Sequence, residues 1–265
     1  MTLASDQEWP RAAVLNIVGL CGRHLGEHTP HLSAFANRDQ GGCQVIDPVL
    51  PALTCSVQST YLTGKMPNEH GIVGNGWYDR ELNEHHFWKQ SNQLVQGRKI
   101  WEVLREKKKD FSCANLFWWY NMHSSVDHSI TPRPLYRADG FKSFDVHTQP
   151  MHLREEIKAD LGDFPFHGFW GPKAGIASST WIAESAKWTE EKHSPDLSLV
   201  YLPHLDYDLQ RLGPNDPNIP KALNEIDQVV GELISFYEKR GIRLIILSEY
   251  GITEVKNVIY PNRVF

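Results

Sequence analysis

The sequence predicts an α/β fold: a mainly parallel central sheet flanked by helices on both faces. Three observations carry this. Four short runs are almost continuously apolar, at 12–20 (AAVLNIVGL), 112–120 (SCANLFWWY), 197–202 (LSLVYL) and 242–247 (IRLIIL). Such runs suit strands buried on both faces better than half-exposed ones. Between them lie segments of helical period, and glycine, proline or polar residues close the runs at Gly19, Pro203, Ser248 and Gly251. Strands that alternate with helices imply right-handed crossovers and a parallel sheet.

Taken in order, 12–20 is the first strand, and Thr29-Pro30 opens a short helix carrying Leu32, Phe35 and Ala36. His24, His28 and His31 recur near one helical turn, but Gly26 and Pro30 break the helix that would align them, so no metal site is expected there. Residues 44–49 (QVIDPV) read as a short strand leading into 51–78, PALTCSVQSTYLTGKMPNEHGIVGNGWY. Thr54 stands there at the start of a helix, where free N–H groups and the helix dipole favour an anion. It is a helix cap on one reading and a nucleophile or anion-binding group on the other. Cys55 is a rival nucleophile or, as buried cysteines usually are, an inert core thiol.

A helix is expected over 99–106, followed by the strand ending in Phe117-Trp118-Trp119-Tyr120, whose aromatics either line a pocket or fill the core. Residues 121–175 are irregular apart from a helix near 152–161, and such a segment suits a substrate cap. Helices are expected at 176–192 and 220–239, the latter presenting Leu223, Ile226, Val229, Val230, Leu233 and Phe236 on one face. The whole of 1–265 reads as one domain with the 121–175 segment inserted. Ligands of such sheets gather at the carboxyl ends of the strands. There the chain offers Val18-Gly19, the Thr54 segment, His204 to Asp208, and Ser248 to Gly251.

Composition bounds the function. The chain has 265 residues, 41% hydrophobic and 22% charged, with a net charge of −5, so no general nucleic-acid surface is expected. The run Arg105 to Lys109 reads as a solvated helix end. No apolar run approaches the roughly 20 residues of a membrane helix. The N-terminus, with Asp6 and Glu8, does not read as a secretory signal. Cys21, Cys43, Cys55 and Cys113 form no C-x-x-C pair, and free thiols fit a reducing cytoplasm.

With these segments aligned, the chain resembles the alkaline phosphatase superfamily, and within it the type I phosphodiesterase/nucleotide pyrophosphatase family. The residues that carry the resemblance are Thr54, Thr63-Gly64, Pro67, His70-Gly71-Ile72 and Asn75. The resemblance implies a hydrolase of small phosphorylated substrates, with Thr54 as nucleophile and Asn75 on a phosphate oxygen. It also implies two divalent metals that would activate Thr54. Trp118 and Tyr120 are candidate substrate contacts.

The ligand pattern departs from the family. Val18 stands where the first Asp is expected. Asp206 is kept, but its histidine partner is Gln210, and the Asp-His-Gly triplet reads Glu249-Tyr250-Gly251. The last histidine ligand would fall beyond Phe265, which leaves open that the chain is an N-terminal fragment. The expected ligands are Thr54, Asp206 and Glu249, with Gln210, Tyr250, Asp208 and His204 as further candidates. That oxygen-rich set suits Mg²⁺, Mn²⁺ or Ca²⁺ better than paired Zn²⁺. The alternative is a phosphate- or nucleotide-binding pseudoenzyme of the same fold. The substrate and the oligomeric state are not readable from the sequence.

Overall fold

The computed structural model describes residues 9–38 and 42–265. Asp6 and Glu8, on which the reading of no secretory signal rests, lie outside them. The elements in order are β1 (Ala12–Ile17), α1 (Pro30–Ala36), α2 (Thr54–Thr63), α3 (Pro67–His70), β2 (Gly76–Asp79), β3 (Glu84–Phe87), α4 (Ile100–Arg105), β4 (Cys113–Leu116), β5 (His128–Tyr136), β6 (Lys142–Gln149), α5 (Leu153–Leu161), α6 (Ile176–His193), β7 (Leu197–Leu202), α7 (His204–Leu212), α8 (Ile219–Glu238), β8 (Arg243–Leu247) and α9 (Pro261–Val264).

Six strands form one sheet in the order β6-β5-β4-β7-β1-β8, parallel except for β6, which runs antiparallel to β5. Every residue of β7 is buried. Since successive side chains point to opposite faces, both faces of the sheet are covered there. The apolar faces of α6 and α8 complete the core through Trp181, Ile182, Ala186, Ile226, Val230 and Leu233. No helix among the described residues is long and apolar enough to cross a membrane.

The structure corrects the sequence reading in three places. Residues 44–49 form no strand, and Val45 and Ile46 are exposed; the segment holds Pro48 and finds no ladder partner. The 112–120 run is a strand only over Cys113–Leu116, because Phe117 and Tyr120 take positive φ values of 69° and 52° and turn the chain out of the sheet. The 121–175 segment is not irregular apart from one helix. It holds β5 and β6, which extend the main sheet, as well as α5.

Parallel pairing brings the carboxyl ends of β1, β4, β7 and β8 to one edge. Gly19 follows β1 there with φ 86°, and a Cβ on it would come within 3.0 Å of the Leu209 side chain and 3.4 Å of the Asp206 Cα. Its missing side chain lets α7 approach the end of β1.

Candidate active site

Thr54 is the first residue of α2, and Leu53 holds the extended N-cap position, so the Thr54 hydroxyl does not cap its own helix. That task falls to Asn75: the Cys55 N–H donates to Asn75 Oδ1 at 3.0 Å. Among the described residues Asn75 Nδ2 has no acceptor, and Asn75 and Thr54 both line one cavity. His70 steadies the turn between them. Its Nδ1 accepts from the Ile72 N–H at 3.1 Å, so Nε2 carries the proton and faces Thr60 Oγ1 at 3.0 Å.

Three contacts tie α2 to the loop after β8. The Tyr61 hydroxyl donates to the Ser248 carbonyl at 3.0 Å, Gln58 Nε2 donates to Glu249 Oε1, and Thr54 Oγ1 lies 3.4 Å from the Tyr250 hydroxyl. Asn16, on β1, donates to the same Glu249 oxygen at 2.7 Å. Gln58 cannot rotate freely, because its Oε1 accepts the Trp119 backbone N–H. On α7, Asp206 and Gln210 are one helical turn apart and share a face, and Gln210 Nε2 donates to Asp206 Oδ2 at 2.7 Å.

Thr54, Asn75, Asp206, Gln210 and Tyr250 border a cavity of about 900 Å³. One wall is aromatic: Trp88, Trp119, Trp170, Tyr207 and Tyr250 line it, with Trp88 and Trp119 edge to face at 5.1 Å. Such a wall accepts a flat ring or an apolar group. Burial raises the Asp206 carboxyl, against the hydrogen bond from Gln210 and the nearby Tyr250 hydroxyl. Burial pushes Glu249 further, to about 8, although Gln58, Asn16 and Thr54 all favour its charged form. At neutral pH Glu249 is therefore largely uncharged, which lowers the negative potential an anionic ligand meets. The Cys55 thiol is fully buried and pushed up by desolvation, which makes it inert as a nucleophile.

The family model for type I phosphodiesterase/nucleotide pyrophosphatase matches residues 12–265. The chain belongs to the type I phosphodiesterase/nucleotide pyrophosphatase family. It is 27% identical over 256 residues to an uncharacterised pyrophosphatase/phosphodiesterase of Schizosaccharomyces pombe, covering 89% of this chain and 44% of that protein. It is 23% identical over 199 residues to human ectonucleotide pyrophosphatase/phosphodiesterase family member 5, covering 74% of this chain and 35% of that one. The fold matches murine ectonucleotide pyrophosphatase/phosphodiesterase 5 with a TM-score of 0.64 at 18% identity, over 96% of this chain and 61% of that one. The chain thus spans less than two thirds of each of these relatives.

The family uses divalent metals, but the residues here do not fit a metal pair. Val18 is fully buried and offers no ligand atom. Gln210 turns its amide nitrogen, not its oxygen, to Asp206. Burial and the nearby carboxylates raise the Tyr250 phenol, so a phenolate ligand is costlier than in water. Among the described residues, two buried carboxylate oxygens, Asp206 Oδ1 and Glu249 Oε2, lack a partner, short of the three protein ligands of a catalytic zinc. No group of three or more His, Cys, Asp or Glu gathers as a metal site among the described residues.

The structure therefore brings Thr54, Asn75, Asp206, Gln210 and Tyr250 to one cavity, with Glu249 buried behind them. His204 and Asp208 do not line it. His204 is buried with Nε2 3.0 Å from Glu225 Oε2, and Asp208 pairs with Arg211. Trp118 and Tyr120, read as substrate contacts, are instead packed in the interior, and Trp119 between them reaches the cavity. The positive φ values at Phe117 and Tyr120 set this choice. Asn16, Gln58, Trp88 and Trp170 were not singled out from sequence. Asn16 carried a signal: a polar residue inside an apolar strand run needs a buried partner.

Proposed function

We propose that the chain is a phosphodiesterase/pyrophosphatase-type hydrolase of small phosphorylated molecules, with Thr54 as its nucleophile. One observation carries the proposal: the Thr54 hydroxyl faces the cavity from the first turn of α2, beside Asn75, whose side-chain oxygen is anchored on the Cys55 N–H. A phosphoryl group there would meet the positive end of the helix dipole and the Asn75 Nδ2 donor. Attack would form a Thr54 Oγ–P bond and break the P–O bond to the leaving group, the threonine proton going to the departing oxygen; water would then break the Oγ–P bond, return a proton to Thr54 and release the phosphate. The Tyr250 hydroxyl, at 3.4 Å, is near enough to receive a hydrogen bond from Thr54.

The aromatic wall supports a substrate with a flat ring, a nucleotide for example. A solved structure of the murine family member 5, in an inactive threonine-to-alanine form, holds AMP; it shares the fold at 17% identity with a TM-score of 0.64. Phe169 and Trp170, from the 121–175 segment, border the cavity, which supports a capping role for that segment. The unpaired thiols of Cys21, Cys43, Cys55 and Cys113 support a reducing, cytoplasmic setting.

Wild type is expected to cleave a nitrophenyl phosphodiester or a dinucleotide, and Thr54→Ala to lose at least about a hundredfold in kcat with its melting temperature kept. Turnover absent from wild type, or unchanged in Thr54→Ala, sinks the hydrolase reading. The second reading, a phosphate- or nucleotide-binding protein without turnover, is favoured by the amide donors on Glu249 and by Val18. It predicts that AMP stabilises the chain without being consumed.

A further inference from the structure

We propose that this pocket works without a divalent metal pair, its carboxylates being held by donors of the chain itself: Asn16 and Gln58 on Glu249, and Gln210 on Asp206. A carboxylate that ligates a cation turns a lone pair to it. On Glu249 Oε1 that position is met by two amide N–H groups from different elements, β1 and α2. Amide nitrogens repel a cation, so each side chain would have to flip to offer its oxygen. Gln58 is restrained from flipping, because its oxygen accepts the Trp119 N–H and a flip would set two donors face to face. Asn16 is fully buried in β1, between β7 and β8.

The same exchange recurs on α7, where Gln210 gives Asp206 an N–H. Beside Thr54 the neighbour is the Tyr250 hydroxyl, a neutral group that both donates and accepts. On β1, α2 and α7, neutral amide donors thus occupy one oxygen of each carboxylate, which leaves only Asp206 Oδ1 and Glu249 Oε2 with lone pairs open among the described residues, too few for a metal pair. Val18, whose side chain is fully buried at the end of β1, removes a further ligand position. For activity, the inference rests on the hydrolase reading and predicts turnover that a chelator leaves unchanged. For binding, it stands apart from that reading.

The test measures both. The purified chain is loaded separately with Zn²⁺, Mn²⁺ and Mg²⁺ and desalted, and bound metal is counted by elemental analysis beside Asp206→Asn and Glu249→Gln. Melting temperatures are read with each metal and with EDTA. The expected result is substoichiometric metal, no metal-dependent shift in melting, and zinc binding gained by the combined Val18→Asp, Gln210→His and Tyr250→His variant. Stoichiometric metal in wild type that either single variant loses overturns the proposal, and so does turnover that appears only with metal. Metal retained equally by both variants lies elsewhere and leaves the proposal standing. Should the triple variant fail to fold, the wild-type count still decides. Absence of turnover under every condition, with no metal bound, removes the hydrolase reading and leaves this inference intact.

Discussion

Glu249 sets the electrostatics of the pocket. It is 2% exposed, and desolvation raises its carboxyl from 4.5 to about 8 despite two amide donors. Between these values the folded chain holds a proton that the unfolded chain releases. Its contribution to stability is therefore full below about pH 4.5 and is lost as pH rises through about 8. At about 1.4 kcal/mol per pH unit, the loss is on the order of a few kcal/mol. Glu249→Gln keeps the shape and the accepting oxygen and cannot ionise. It is expected to match wild type in denaturant midpoint near pH 5 and to exceed it near pH 8; equal pH profiles for the two proteins would contradict the assignment. Much of this site was legible at the residue scale. Asp206 and Glu249 lie just after β7 and β8, whose carboxyl ends a parallel sheet gathers at one edge, and Thr54 and Asn75 stand out in the helix-opening stretch 51–78. Asn16, polar inside an apolar strand, signals a buried partner without saying which, and Gln58 in mid-helix gives no signal. Only the folded register brings them within reach of a residue more than 190 positions away.

At the scale of elements, the short α1 depends on a distant side chain. Its seven residues begin after Thr29, whose hydroxyl makes no cap to the helix. Asp227, from the middle of α8, does so instead, accepting the His31 N–H at 3.0 Å and the Leu32 N–H at 2.8 Å. Asp227 is 1% exposed, so its removal leaves the buried Leu32 N–H and the part-buried His31 N–H without this partner. Asp227→Ala is expected to cost about 1–3 kcal/mol in urea denaturation, with the fold retained; a cost within measurement error would mean that α1 is held by its apolar contacts alone. Sequence periodicity gave α1, α5, α6 and α8 nearly to their ends, since an apolar face is a local property. It did not give β5, where Pro132 and Pro134 interrupt the usual strand pattern. Their spacing of two sets both missing N–H groups on one edge of the strand. The Pro132 carbonyl on that edge accepts from Gln90, away from β6. The ladder to β6 is spared, and a strand with two prolines is tolerated.

At the scale of the whole molecule, the sheet ends in two margins of different character. β6 opens on the exposed Lys142, and a charge of this kind discourages a further strand from docking. β8 reads Arg243 to Leu247, RLIIL, and its outer edge pairs with no strand among the described residues. Ile245 on it is 53% exposed, and Val255, Val258, Ile259, Tyr260, Val264 and Phe265 are exposed nearer the C-terminus. A free strand edge beside apolar side chains is a template for pairing with another chain. The chain is therefore expected to self-associate with rising concentration, seen in sedimentation velocity as a growing weight-average coefficient. Ile245→Lys places a charge on the free strand without touching the cavity. It should shift the distribution towards monomer while changing stability by no more than about 0.5 kcal/mol, as surface substitutions usually do. A wild-type chain that sediments as a single monomeric species at every concentration, or an Ile245→Lys variant that associates equally, would place the contact elsewhere than the β8 edge.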